Sequence, residues 1–126
     1  MSRAKLSLTV YALYLGSGGL SMALFPNAML PILGLPTTSE VWVRLYGALA
    51  AVLAAKGYNG ARLNLYSSMQ FDVYTRTVFA SFLTALVLLG ISPRVLIIFA
   101  LIDYAAAAWT QWAIGADRRA GIDTSR

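Results

Sequence analysis

Apolar residues along this chain fall into four blocks, each about twenty residues long and each closed by proline, glycine or a polar cluster. The blocks predict helices over about 5–25, 38–58, 69–89 and 93–114. At a rise of about 1.5 Å per residue, such a helix crosses the roughly 30 Å hydrocarbon layer of a bilayer. The pattern therefore predicts an all-α membrane protein, a single domain over residues 1–126 built as an antiparallel bundle of four transmembrane helices. The last connection is so short that the third and fourth helices must be antiparallel neighbours.

The breaks between blocks carry the detail. Pro26 should stop the first helix, because it removes a backbone donor and clashes with the preceding turn. Within that helix, Gly16-Ser17-Gly18-Gly19 is the weakest helix-forming stretch of the chain, tolerable in lipid where small residues let another backbone come close. It reads as a helix-packing notch, with a bend lining a small cavity as the alternative. The Pro26–Pro36 segment is too apolar for a solvated loop and should lie in the interface or fold back over the helix ends. Thr37-Thr38-Ser39-Glu40 fits a capping box opening the second helix. Gly47, Ala51 and Ala55, with Ala50 and Ala54 beside them, form a small-residue stripe suited to tight packing. Asn59-Gly60 should end that helix, Gly90 the third and Gly115 the fourth, while Ser92-Pro93 supplies a capping serine and a proline at the first helical position.

Composition agrees with lipid as the solvent. Hydrophobic residues make up 59% and charged residues 12% of the 126 positions, where a soluble domain carries about 25% charge. The formal charge of +5 does not point to nucleic acid, because the ten Lys and Arg stand singly among apolar runs and form no basic stripe. Neither cysteine nor histidine occurs, which excludes disulfides, thiol chemistry, Cys/His metal sites and any Ser-His-Asp arrangement. No cofactor is implied. The opening Ser2-Arg3-Ala4-Lys5 and its apolar run resemble a signal peptide, yet Leu6 to Phe25 has the length of a spanning helix and is expected to remain.

With four crossings, the N-terminus, the second connection and the C-terminus share one side. Arg3, Lys5, Lys56, Arg62, Arg76, Arg118, Arg119 and Arg126 lie toward it, and only Arg44 and Arg94 lie nearer the other. The positive-inside rule places both termini in the cytoplasm.

Asp103 falls near the middle of the fourth helix and so near the bilayer midplane, where a lone carboxylate costs roughly 2.5–3.5 kcal/mol or more. It must face the bundle, be neutral or meet a cation. Arg44 and Arg76 both lie within roughly 6 Å of its depth on the helical rise. Asp72, four residues before Arg76, competes for that arginine, so Arg44 is the preferred partner. Arg44, Asp103, Tyr46, Tyr104 and Thr110 then form a polar intramembrane site, with Arg76 as the further ion-pair candidate. The alternative is an ion pair that only fixes helix packing.

The elements Trp42-Val43-Arg44-Leu45-Tyr46-Gly47, Arg76-Thr77-Val78-Phe79, and Asp103-Tyr104 with Ala105 to Ala108, Trp109 and Thr110 resemble those of small bacterial four-helix membrane proteins. That resemblance implies the fold and the bacterial inner membrane, and no chemistry. DoxX-like proteins and sterol-scaffold membrane proteins are similar in size and span count. Small multidrug transporters also have four short helices, but likeness to them implies an acidic residue in helix one, and none lies between Lys5 and Phe25.

These features lead to an expectation of a non-enzymatic accessory, scaffold or lipid-associated bundle with no catalytic residues. Its expected partners are membrane lipid and a membrane protein or a second copy of the chain, and not nucleic acid. The alternative is a small-molecule or proton-coupled carrier using Asp103 and Arg44.

Overall fold

The computed structural model describes residues 2–37 and 41–125, and every regular element among them is helical. The helices are α1 (Arg3–Leu24), α2 (Pro26–Ile32), α3 (Val41–Arg62), α4 (Tyr66–Leu88) and α5 (Ile97–Arg119), the last preceded by a 3₁₀ turn at Arg94–Leu96.

Helix α1 begins where the Ser2 side chain accepts from the Lys5 amide at 3.1 Å, satisfying one of the unpaired donors of the first turn. It stays helical through its glycines and ends at Leu24. Pro26, which cannot extend α1, instead occupies the first turn of α2, where its missing N–H costs nothing. The apolar Pro26–Pro36 connection is thus a seven-residue helix with Leu30 buried and Ile32 outward.

The other four helices share one ending. Gly34, Asn64, Gly90 and Gly121 take positive φ just past α2, α3, α4 and α5. In each case the following amide reaches back five residues, as Ile91 does to the Leu86 carbonyl at 3.0 Å, which is the Schellman closure. Gly90 therefore ends α4 as its position predicts. Gly115 does not end α5: the helix continues over it to Arg119 and closes at Gly121. Asn59-Gly60 likewise lies inside α3, which runs one turn further and leaves only residues 63–65 as the second connection. Pro93 precedes the 3₁₀ turn and no side chain caps it, so the expected Ser92 cap does not form. Of the Thr37–Glu40 capping box, residues 38–40 lie outside the described residues.

Cross-helix pairings give the arrangement. Gly19 meets Gly47 and Gly16 meets Ala54, so α1 and α3 run antiparallel. Tyr11 meets Asp103 and Ser7 meets Thr110, so α1 is antiparallel to α5 as well. Gln70 meets Gln111 and Ser81 meets Tyr104, which sets α4 antiparallel to α5. Helix α1 is thus central, with α3 on one side and α5 on the other; α4 packs mainly along α5, touches α3 only lightly and meets α1 where Arg76 stacks on Tyr11.

The α1–α3 contact is tight because both helices lack a side chain at the crossing. A Cβ on Gly19 would lie 2.7 Å from the Gly47 carbonyl oxygen, and one on Gly47 would lie 2.5 Å from that of Gly19. At Gly19 and Gly47 only glycine fits, so the packing notch expected of Gly16–Gly19 lies at Gly19, whereas a Cβ on Gly18 would meet nothing.

An apolar core around Leu8, Met69 and Ile114 is joined by buried polar residues, and the outer faces are apolar too. Ser7, Arg76, Asp103, Thr110 and Asp117 are buried, while Leu13, Val52, Val78 and Leu101 are each more than half exposed. Three helices, Arg3–Leu24, Tyr66–Leu88 and Arg94–Arg119 counted with its 3₁₀ turn, are long and apolar enough to cross a membrane. This points to a membrane protein. Helix α3 matches α1 at 22 residues, about 33 Å, but Arg44 and Lys56 lower its mean hydropathy, and it does not join those three.

Candidate functional site

Polar contacts on the inner face of α5 recur every seven residues, at Asp103, Thr110 and Asp117. Two helical turns separate successive members, so all three face α1. At one end the buried Asp117 carboxylate accepts from the backbone amides of Arg3 (3.1 Å) and Ala4 (3.0 Å) and from the Tyr66 hydroxyl (3.0 Å). One side chain of α5 thereby caps the start of α1 and holds the start of α4. In the middle the Ser7 and Thr110 hydroxyls share a hydrogen bond of 3.0 Å. At the far rung the Tyr11 hydroxyl donates to Asp103 Oδ1 at 2.6 Å.

Arg76, on α4, reaches the same tyrosine from its face, its guanidinium carbon 4.1 Å from the ring centroid. Such stacking is worth about 2 kcal/mol or more once desolvated. Arg76 Nε donates to Asp72 Oδ2 at 2.8 Å and Nη2 donates to the same oxygen, completing the ion pair one turn apart on α4. Its remaining nitrogen, Nη1, is buried without a hydrogen-bond partner. An unsatisfied buried donor costs about 1–3 kcal/mol, more when it is charged.

Between α3 and α4, where the two helices barely touch, lies a cavity of about 450 Å³. Its floor is Tyr11 and Asp103, Arg76 and Asp72 stand on one wall, and its apolar surfaces come from residues such as Leu49, Leu53, Phe71 and Phe79. Lys56, exposed on α3, also borders it. The volume lies within the roughly 300–1,000 Å³ of small-molecule sites, and the space is half open, with Leu49, Leu53, Phe71 and Phe79 exposed along it.

The sequence-predicted residues separate here. Asp103, Arg76 and Tyr46 all line the cavity. Thr110 is sealed in the α1–α5 contact and Tyr104 bonds Ser81 of α4 at 2.8 Å, so neither reaches it. Arg44 does not pair with Asp103. It donates from Nη1 to the carbonyls of Ala23 (3.0 Å) and Leu24 (3.3 Å), the unpaired acceptors at the C-terminal end of α1. The two residues lie at different depths: Arg44 is level with Ala23 and Asp103 with Tyr11, positions about 18 Å apart along α1, and the helix end offers Arg44 nearer acceptors.

Compared with family models, curated proteins and solved structures, the chain matches none. The site must speak through its own geometry.

Two contributors escaped the sequence reading. Asp117 looks like an ordinary acid at a helix end, yet its spacing of seven from Thr110 and fourteen from Asp103 marks the same face. Tyr11 is one of seven tyrosines, and its distinguishing feature, a place opposite Asp103, exists only in the fold. Among the described residues no cluster of acidic side chains is set to hold a metal ion.

Proposed function

We propose that this chain is a non-enzymatic, lipid-associated membrane bundle that holds the apolar body of a small amphipathic molecule in the cavity between α3 and α4. In this reading it crosses the bacterial inner membrane four times with both termini in the cytoplasm. Support for the fourth crossing comes from α3, equal in length to α1 and packed along it through Gly19 and Gly47. The bias of eight of ten cations toward the termini and the second connection supports the orientation.

The observation that carries the function is the cavity itself. A scaffold that only bridges proteins needs no such space, and leaving about 450 Å³ between two helices forfeits packing that bundles normally make. Lipid also ranks ahead of a protein partner because, of the small residues of α3, Gly47, Ala50 and Ala54 are buried against α1, leaving Ala51 half-buried and Ala55 exposed. The exposed Ile32 face of α2 is one surface for a membrane-protein partner or a second copy.

Native mass spectrometry of protein extracted gently from its membrane tests this. Wild-type protein should retain one lipid-like adduct, and Leu53→Trp, which fills the cavity from α3, should lose it. Wild-type protein that is always bare, or an adduct indifferent to Leu53→Trp, would refute the reading.

A further inference from the structure

We infer that the cavity selects an amphiphile whose head is uncharged and carries a carbonyl oxygen, and that Arg76 Nη1 is the donor that binds it. This rests on the cavity being a ligand site and adds the chemistry of the head. Three observations lead to it.

First, among the polar residues that line the cavity only Tyr11, Arg76 and Asp103 are buried, while the rest, Lys56 and Ser68 among them, are exposed or half-buried. The buried three meet at Tyr11, with Asp103 at its hydroxyl and Arg76 over its ring. A ligand lying along Leu49, Leu53, Phe71 and Phe79 therefore has its head at Tyr11.

Second, Arg76 has one nitrogen to spare. Asp72 takes Nε and Nη2, whereas Nη1 is buried with no acceptor in a residue only 5% exposed. No acceptor of the chain lies within hydrogen-bond distance of it, so one must come from what enters the cavity beside it. A carbonyl or ester oxygen serves, with a small turn of the guanidinium against the Tyr11 ring.

Third, charge excludes an ionic head. The cavity is bordered by two carboxylates, Asp72 and Asp103, and two cations, Arg76 and Lys56. Their sum is zero, and Arg76 is already joined to Asp72. An anionic head at Nη1 would be desolvated beside Asp103 with no surplus positive charge in return, and a cationic head would meet the guanidinium first. A neutral carbonyl takes the free donor with neither penalty.

The test uses full-length protein in dodecyl maltoside, a detergent without a carbonyl group, and photoactivatable probes sharing one sixteen-carbon chain: a monoacylglycerol, a fatty acid at pH 8 and an alkylamine. The monoacylglycerol should saturate labelling at cavity residues at about tenfold lower concentration than either charged probe, the effect of one buried hydrogen bond to a charged donor. Arg76→Gln should raise its half-saturation about tenfold and leave the alkylamine unchanged or tighter. Tighter binding of the fatty acid or the amine by wild-type protein would overturn the neutral-carbonyl assignment while leaving the cavity as a ligand site. Unchanged monoacylglycerol binding in Arg76→Gln would remove Arg76 as the donor. If no probe labels the cavity, the ligand-site reading falls and this inference with it. Should Arg76→Gln fail to fold, the ranking of the three probes on wild-type protein still decides.

Discussion

At the residue scale, a single carboxylate joins three helices. Asp117 receives two backbone amides of α1 and the Tyr66 hydroxyl of α4. Replacing it with alanine leaves those donors buried, so Asp117→Ala should cost about 1–3 kcal/mol. Thermal unfolding in detergent measures the loss, and faster hydrogen exchange at the Arg3 and Ala4 amides localises it. A variant as stable as wild type would show that the cap contributes nothing. Tyr11→Phe separates the two jobs of that ring: it removes the hydroxyl from Asp103 and keeps the face under Arg76. Interhelical bonds in lipid average about 0.6 kcal/mol and reach about 1.7, so a loss in that range is expected, with Tyr11→Leu worse because the cation stacking goes too. The sequence disclosed part of this site. A carboxylate at the depth of Asp103 must turn inward, and it does; an acid four residues before Arg76 should pair with it, and Asp72 does. What it withheld was register. Counting from the ends of the apolar blocks puts Arg44 and Asp103 at similar depth, but α3 and α5 are offset against α1 so that Arg44 meets its C-terminal end and Asp103 meets Tyr11, about 18 Å away.

At the scale of elements, glycine has opposite meanings one residue apart. A Cβ at Gly19 collides with the backbone of α3, whereas a Cβ at Gly18 meets nothing within 4 Å. Gly19→Ala should therefore destabilise the α1–α3 pair by about 1–3 kcal/mol through overpacking. Gly18→Ala should be neutral or stabilising by about 0.5–1 kcal/mol, since alanine is the better helix former. Melting temperatures of the two variants side by side decide it, and equal effects would mean that the helices do not meet at Gly19. The helix ends show why a local signal is partly reliable. Gly90 and Gly115 are both glycines after apolar runs, but only Gly90 has the left-handed backbone that halts a helix. The turns after Gly115 are held by Asp117, whose bonds to α1 outweigh the small penalty of one glycine. Asn59-Gly60 is passed over for a similar reason. There α3 comes so near the start of α4 that a Cβ on Gly60 would lie 2.9 Å from Ser68 Oγ, and glycine serves the approach without ending the helix.

At the scale of the whole molecule, helices with apolar exteriors enclose a row of polar contacts, and one gap between α3 and α4 is left unfilled. Helical content and the outward apolar faces were legible because lipid demands long uninterrupted runs and internally satisfied backbone. The cavity was not legible, because it arises from how far apart two nonadjacent faces come to rest. Everything proposed for it requires α3 to lie in the bilayer beside α1, α4 and α5, although among the described residues α3 is the one long helix outside the three most apolar spans. Because the chain has no native cysteine, single cysteines can be read without background. The decisive measurement is labelling of Thr37→Cys, Leu63→Cys, Ile91→Cys and Ser125→Cys in intact cells by a membrane-impermeant maleimide. Four crossings predict that positions 37 and 91 label from outside and that 63 and 125 label only after permeabilisation. Labelling of position 63 together with 37, and on the opposite side from 91, would place α3 outside the bilayer and contradict the account.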